Sequence, residues 1–170
     1  GVRDAKYAAF DIQKVLERLL LKGSIVVKKA YCDWDRYKTF KPGMHEAAFE
    51  LIEIPQRMGA SRKNAADIKM AVDAVELAFE REYVTTFVIC TGDSDFSPLV
   101  HKLRELNKQV IGVGLKASTS ALLPPACDEF LFYEDIVTPD KPLGGGVRSI
   151  PKGKENAWQL LFETLRAVRK

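Results

Sequence analysis

Asp93 and Asp95 stand one residue apart in TGDSDF, between the apolar run TTFVIC and the amphipathic segment SPLVHKLREL. Two carboxylates this close repel each other, and close like charges raise a pKa unless a cation compensates. A hard divalent ion, Mg²⁺ or Mn²⁺, supplies that compensation, because it prefers carboxylate oxygens and keeps waters in its shell. One Asp at this place reads most simply as a helix cap ahead of Pro98. The pair favours metal. A third acid is needed for a useful site, and Asp67 in RKNAADIKM is the best candidate. It falls in the first turn of an expected helix, where the macrodipole alone also favours a carboxylate. Its neighbours Ala66 and Ile68 suggest a half-buried position, and Arg62, Lys63 and Lys69 surround it with positive charge. Asp73, on the same helix, lies about 240° further round the axis and reads as structural.

The elements that must position these acids alternate regularly. Asp11 can cap a helix whose apolar residues Ile12, Val15, Leu16, Leu19 and Leu20 fall at helical spacing, with Gly23 as its stop. A strand is expected in SIVVKKAY, a helix in GMHEAAFE and a short strand in LIEIP; RMGASRKN reads as a loop. AADIKMAVDAVELAFE is helical, with Asn64 as its candidate cap. Strand 86–90 follows, then helix 98–106 with Ser97 at its cap and Pro98 at its first position, strand QVIGVG, a short helix near 119–123 and strand EFLFY. This order implies an α/β fold, a parallel sheet with helices on both faces. In such sheets ligands bind beyond the carboxyl ends of the strands, where Asp93 and Asp95 lie and where Gly92 permits a tight exit.

At 170 residues, 46% hydrophobic and 29% charged, the chain can fill one core. The expected organisation is a domain over residues 1–138, a linker over 139–154 and a terminal helix over 155–170, with Trp158, Leu161, Phe162 and Leu165 on its apolar stripe. Its longest apolar runs fall far below the ~20 residues of a membrane helix, and the chain reads as soluble, intracellular and cytoplasmic. Cys32, Cys90 and Cys127 form no CxxC pair and read as buried free thiols. The formal net charge is +3, and residues 141–170 carry seven basic against two acidic side chains. A near-neutral domain with a basic tail is compatible with an anionic partner such as nucleic acid.

KNAADIKMAVDAVELAF, FVICTGDSDFSPLVHKLRELNKQVIGVG and STSALLPPACDEFLFYEDI resemble the NYN domains of the LabA-like group, relatives of the PIN nucleases. The resemblance runs from about residue 4 to residue 137, and TGDSDF with its following helix and GVG strand is its most specific part. It implies a Rossmann-like or PIN-like sheet with acids clustered at one end, and metal-dependent cleavage of RNA. Asp67, Asp93 and Asp95 match the family's acidic positions and are the implied metal ligands and catalytic residues. The family opens on a central strand reading roughly Phe-Ile-Asp-x-x-Asn, which GVRDAKYAAFDI does not match. The expectation is that this first strand, with a leading acid, stands upstream of Gly1.

Under this reading, Mg²⁺ or Mn²⁺ held by the acids would activate a water for phosphodiester hydrolysis. Thr91, Ser94, Ser118 and Thr119 could donate to phosphate oxygens, and Arg62, Lys63 and Lys116 could contact the RNA backbone. Tyr31, Trp34 and Tyr37 in AYCDWDRY offer aromatic faces for base stacking, although such residues more often pack at a sheet's end. His45 and His101 are isolated and make poor general bases. An RNA-binding module with a nuclease-like fold and no turnover is the runner-up. An Asp-nucleophile phosphatase would need its acids at the first strand, and a receiver domain would need a Lys where Glu134 and Asp135 follow EFLFY.

Overall fold

The computed structural model describes residues 10–55 and 64–137. The expected linker over 139–154, the expected helix over 155–170, and Arg62 and Lys63 lie outside those residues.

Helix α1 spans Ile12–Leu20 and starts where expected, because the extended Asp11 accepts from the backbone N–H groups of Gln13 and Lys14. Its Ile12, Val15, Leu16 and Leu19 are buried. Strand β1 (Lys29–Cys32) pairs in parallel with β2 (Glu50–Glu53), in a register that sets Tyr31 beside Ile52 and Cys32 beside Glu53. β1 is shorter than SIVVKKAY suggests, since a four-residue partner limits its ladder. Helix α2 (Lys41–Glu46) begins ahead of GMHEAAFE, out of a 3₁₀ turn at Lys38–Phe40. It ends by Ala48, whose φ is 60°, and this reversal drops Phe49 into the core.

Strands β3 (Thr86–Cys90), β4 (Gln109–Gly114) and β5 (Glu129–Phe132) form a second parallel sheet in that order. Every residue of β3 is buried, and so is every residue of β4 after Gln109, the pattern of strands covered on both faces. Helices α3 (Ala65–Glu80) and α4 (Ser97–Glu105) pack on one face. Helix α1 and α5 (Tyr133–Val137) pack on the other. Ser97 opens α4 rather than capping it; Asp93 caps the 3₁₀ turn Ser94–Phe96 that leads into it. No helix forms near 119–123. There Leu115 O accepts from the N–H groups of Ser118 and Thr119, and a 3₁₀ turn follows at Pro124–Ala126.

Among the described strands the two sheets do not hydrogen-bond to each other, so β1 and β3 each pair along one edge. Two cores nevertheless run across both. Ala30 and Cys32 of β1 share one with Val88 and Cys90 of β3, while Tyr31 shares the other with Phe87 and Ile89. The result is an α/β fold with parallel sheets flanked by helices. Among the described residues no helix is long and apolar enough to cross a membrane.

One buried polar contact ties β1 to α3. The Tyr31 hydroxyl donates to Asp73 at 2.7 Å, and the Lys69 ammonium reaches the other carboxylate oxygen at 2.9 Å, which gives Asp73 the structural role its helix position suggests. Burial opposes the charge of Asp73, but the Tyr31 hydroxyl and the Lys69 ammonium outweigh it and hold the carboxyl below its ordinary range. A depressed pKa adds stability above the unfolded value that is lost as pH falls through the folded one. Asp73→Ala should therefore destabilise the fold at neutral pH by about 1–3 kcal/mol. In thermal melts its deficit against the parent should narrow only in acid, below the usual carboxylate range; an unaltered melting temperature at pH 7 would remove Asp73 from this role.

Candidate active site

The chain leaves β3 through a chain of short hydrogen bonds. The Thr91 N–H donates to Val113 O at 2.9 Å, extending the ladder by one residue. The Asp93 N–H donates to the Thr91 hydroxyl at 3.1 Å, and the Asp95 N–H to the Asp93 carboxylate at 2.9 Å. Phe96 then turns into the core, 3% exposed, leaving Asp95 exposed and Asp93 half-buried. Gly92 is required here for space. A Cβ at this position would stand 2.9 Å from both Ser118 O and Thr119 Cα, and the Ser120 N–H donates to Gly92 O at 2.8 Å. The loops after β3 and β4 therefore interlock.

Asp67 lies half-buried in the first turn of α3. It lines the same groove as Asp95, a cavity of about 770 Å³ between α3 and α4 that Phe96 and Leu99 also border. Asp67 and Asp95 thus border one groove that Asp93 does not line, and the carboxylate oxygens of the three do not all lie within 4.8 Å of one another. Cys90, just before this turn, has its thiol pushed far up by burial, so a sulfur ligand is not offered to the site.

A second acidic group lies beyond β1 and β2. One carboxylate oxygen from each of Asp33, Asp35 and Glu53 falls within 4.8 Å of the others. Glu53 is drawn in by the β1–β2 register and accepts from the Trp34 N–H at 3.2 Å. Local desolvation, then the charges of Asp35 and Asp33, push the carboxyl of the exposed Glu53 above its ordinary pKa. Burial, then Glu53 and Asp33, push the Cys32 thiol up to about 12. A set of carboxylate oxygens without an ionised thiol fits a hard cation such as Mg²⁺ or Mn²⁺. Asp33, Asp35 and Glu53 are not among the acids expected from the sequence, although CDWD after β1 repeats the Asp-x-Asp spacing of GDSD after β3. Trp34 and Tyr31 are 1% and 0% exposed, so they are packing residues and not platforms for bases.

The expected phosphate contacts are placed as follows. Ser94 opens the 3₁₀ turn, and Ser118 is half-buried beside Gly92. The Thr119 hydroxyl donates to Leu115 O at 2.6 Å and fills the space over Gly114, where a Cβ would meet it at 2.4 Å. The exposed Lys116 ammonium bonds Asp135 at 2.6 Å. That bond, with the charges of Asp135 and Glu134, raises its pKa. The three thiols are free, with Cys32 and Cys90 buried and Cys127 half-buried.

The family model for the NYN domain matches residues 2–134. The chain is similar to the uncharacterised protein MJ0482 of Methanocaldococcus jannaschii, 32% identical over 121 residues that cover 69% of this chain and 45% of that protein. It therefore spans less than half the length of this relative. It is also similar to the crystal structure of VPA0982 from Vibrio parahaemolyticus, a protein of unknown function. That structure has a TM-score of 0.64 and 28% identity, and the match covers 79% of this chain and 85% of that one.

The interlocked loops yield a test. Gly92→Ala must part the loop after β3 from the backbone of Ser118 and Thr119, and overpacking of this kind costs about 1–3 kcal/mol. Denaturant unfolding should show a loss in that range, whereas Ala117→Gly in the same loop region, at an exposed position, should change stability much less. Equal losses would mean that the close approach at Gly92 is not what constrains the turn.

Proposed function

Because the chain belongs to the NYN domain family, we propose that it is a metal-dependent ribonuclease of the LabA-like group, hydrolysing RNA phosphodiesters at Asp67, Asp93 and Asp95. The observation that carries this reading is the shared groove. Asp67, from the first turn of α3, and Asp95, from the loop after β3, face one cavity although they are far apart in the chain. Asp93 stands two residues from Asp95 and its carboxylate orders the turn between them.

Carboxylate donors suit Mg²⁺ or Mn²⁺, which keeps waters in its shell, and Asp67, Asp93 and Asp95, which do not all come within 4.8 Å of one another, would hold such an ion with waters completing its coordination. Such an ion, when bound, lowers the pKa of a water and offsets charge on the leaving oxygen. The protein's own part is position and charge. Asp93 keeps the 3₁₀ turn wound, which presents Asp95 to solvent; the half-buried Asp67 closes the groove from the side of α3; Ser94 offers a hydroxyl next to both aspartates. Asp33, Asp35 and Glu53 form a second hard-cation group at the ends of the neighbouring strands.

The test uses two double variants. Mn²⁺ or Mg²⁺ should raise the melting temperature, and Asp93→Asn with Asp95→Asn should abolish that rise, together with EDTA-sensitive cleavage of single-stranded RNA. If the rise survives that pair but disappears in Asp33→Asn with Asp35→Asn, the ion belongs to the second group and the proposed site is wrong. RNA binding without cleavage under either metal would replace the nuclease with an RNA-binding module.

A further inference from the structure

Ile68, Val72, Val75 and Phe79 follow one another along α3 at i, i+4, i+7 and i+11, which puts them on one stripe. Ile68, Val72 and Phe79 are 63%, 57% and 66% exposed. All four line the groove whose opposite wall is Phe96, Pro98 and Leu99. Apolar surface gathered in this way marks an interaction site.

We propose that the groove receives this chain's own C-terminal segment, docked as an amphipathic helix through Trp158, Leu161, Leu165 and Val168. Three features of the chain favour this occupant. The lengths agree: Ile68 to Phe79 spans ~16 Å along α3, and Trp158 to Val168 in the proposed docked helix would span ~15 Å, at ~1.5 Å per residue. The charges are complementary. The groove is lined by Asp67, Glu76 and Asp95 against Lys102, while residues 152–170 carry five basic and two acidic side chains; a second copy of the groove would bring those acids against themselves. The tether is long enough. The residues between Val137 and Trp158 reach about 65 Å when extended, beyond the ~14 Å radius of gyration of a domain this size. Tethering also makes the contact intramolecular, which raises its effective concentration. A cation held by Asp67 and Asp95 would offset part of this complementarity and leave Glu76 and the apolar stripe of α3 as the remaining contact.

Of the chain's two tryptophans, Trp34 is buried in the core, so the difference spectrum between the full chain and its Trp158→Phe variant isolates Trp158. Its emission should be blue-shifted relative to a synthetic peptide of residues 152–170. Phe79→Asp, at an exposed position, should return it to the peptide's emission without changing the Trp34 signal. Leu161→Asp with Leu165→Asp, on the other side of the contact, should do the same. Emission equal to that of the free peptide in the parent chain would overturn the proposal, as would indifference to both variants. Sedimentation velocity supplies the remaining outcome: a dimer that Phe79→Asp dissociates and the Leu161/Leu165 variant leaves intact would assign the groove to a second copy instead.

Discussion

The hydrogen bond from the Tyr31 hydroxyl to Asp73 sets the geometry on which the rest of the molecule depends. Tyr31 belongs to the two-stranded sheet, and Asp73 lies on α3, which packs on β1 and beside α4 and shares its apolar core with the three-stranded sheet. With no ladder between the two sheets among the described strands, α3 acts as their common reference. Side-chain packing alone would tolerate some sliding, because apolar contacts carry little direction. A buried bond to a charged acceptor is directional and costly to break. It fixes where Asp67 stands on one side, less than two helical turns before Asp73, and where Asp33 stands on the other, two residues after Tyr31.

Both acidic groups follow from one rule of parallel sheets. Each strand that ends in a buried run must release its chain into solvent at the carboxyl edge, and short polar residues with free lone pairs serve that exit. At β3 the acids help themselves, since the Asp93 carboxylate accepts from the Asp95 backbone. At β1 they do so less. There Glu53 joins Asp33 and Asp35 from the adjacent strand, and its pKa is raised first by desolvation and then by those two neighbouring charges. The two places differ in rigidity as well. The loop after β3 is locked by Gly92 against Ser118 and Thr119, whereas the loop after β1 is anchored by the buried Trp34.

The sequence made α3, β3 and β4 legible, because long periodicity and unbroken apolar runs leave few alternatives. Thr86–Cys90 and Gln109–Gly114 are where the residues place them. Local endings were harder. Ser97 has the chemistry of a cap, but the chain had already begun to wind at Ser94, so the capping role passed to Asp93. The half-buried, first-turn position of Asp67 was legible in its apolar neighbours Ala66 and Ile68. Asp33 and Asp35 were not, since Trp34 between them drew attention to aromatic chemistry, and Glu53 meets them only through the β1–β2 register. Lys116 reads as a free cation until Asp135 arrives from the far end of β5.

Gly112 and Phe130 are neighbours across the β4–β5 ladder. A Cβ on Gly112 would stand 2.3 Å from the Phe130 ring and 3.2 Å from the Cys127 sulfur. The volume that most strands fill from their own residue is here filled by the adjacent one. The sizes of the two side chains are thereby coupled: a larger residue at 112 fits only beside a smaller one at 130, and a small residue at 130 opens a void beside the glycine. The two residues act as one packing unit, so a change at either alone leaves a less stable protein than a matched change at both.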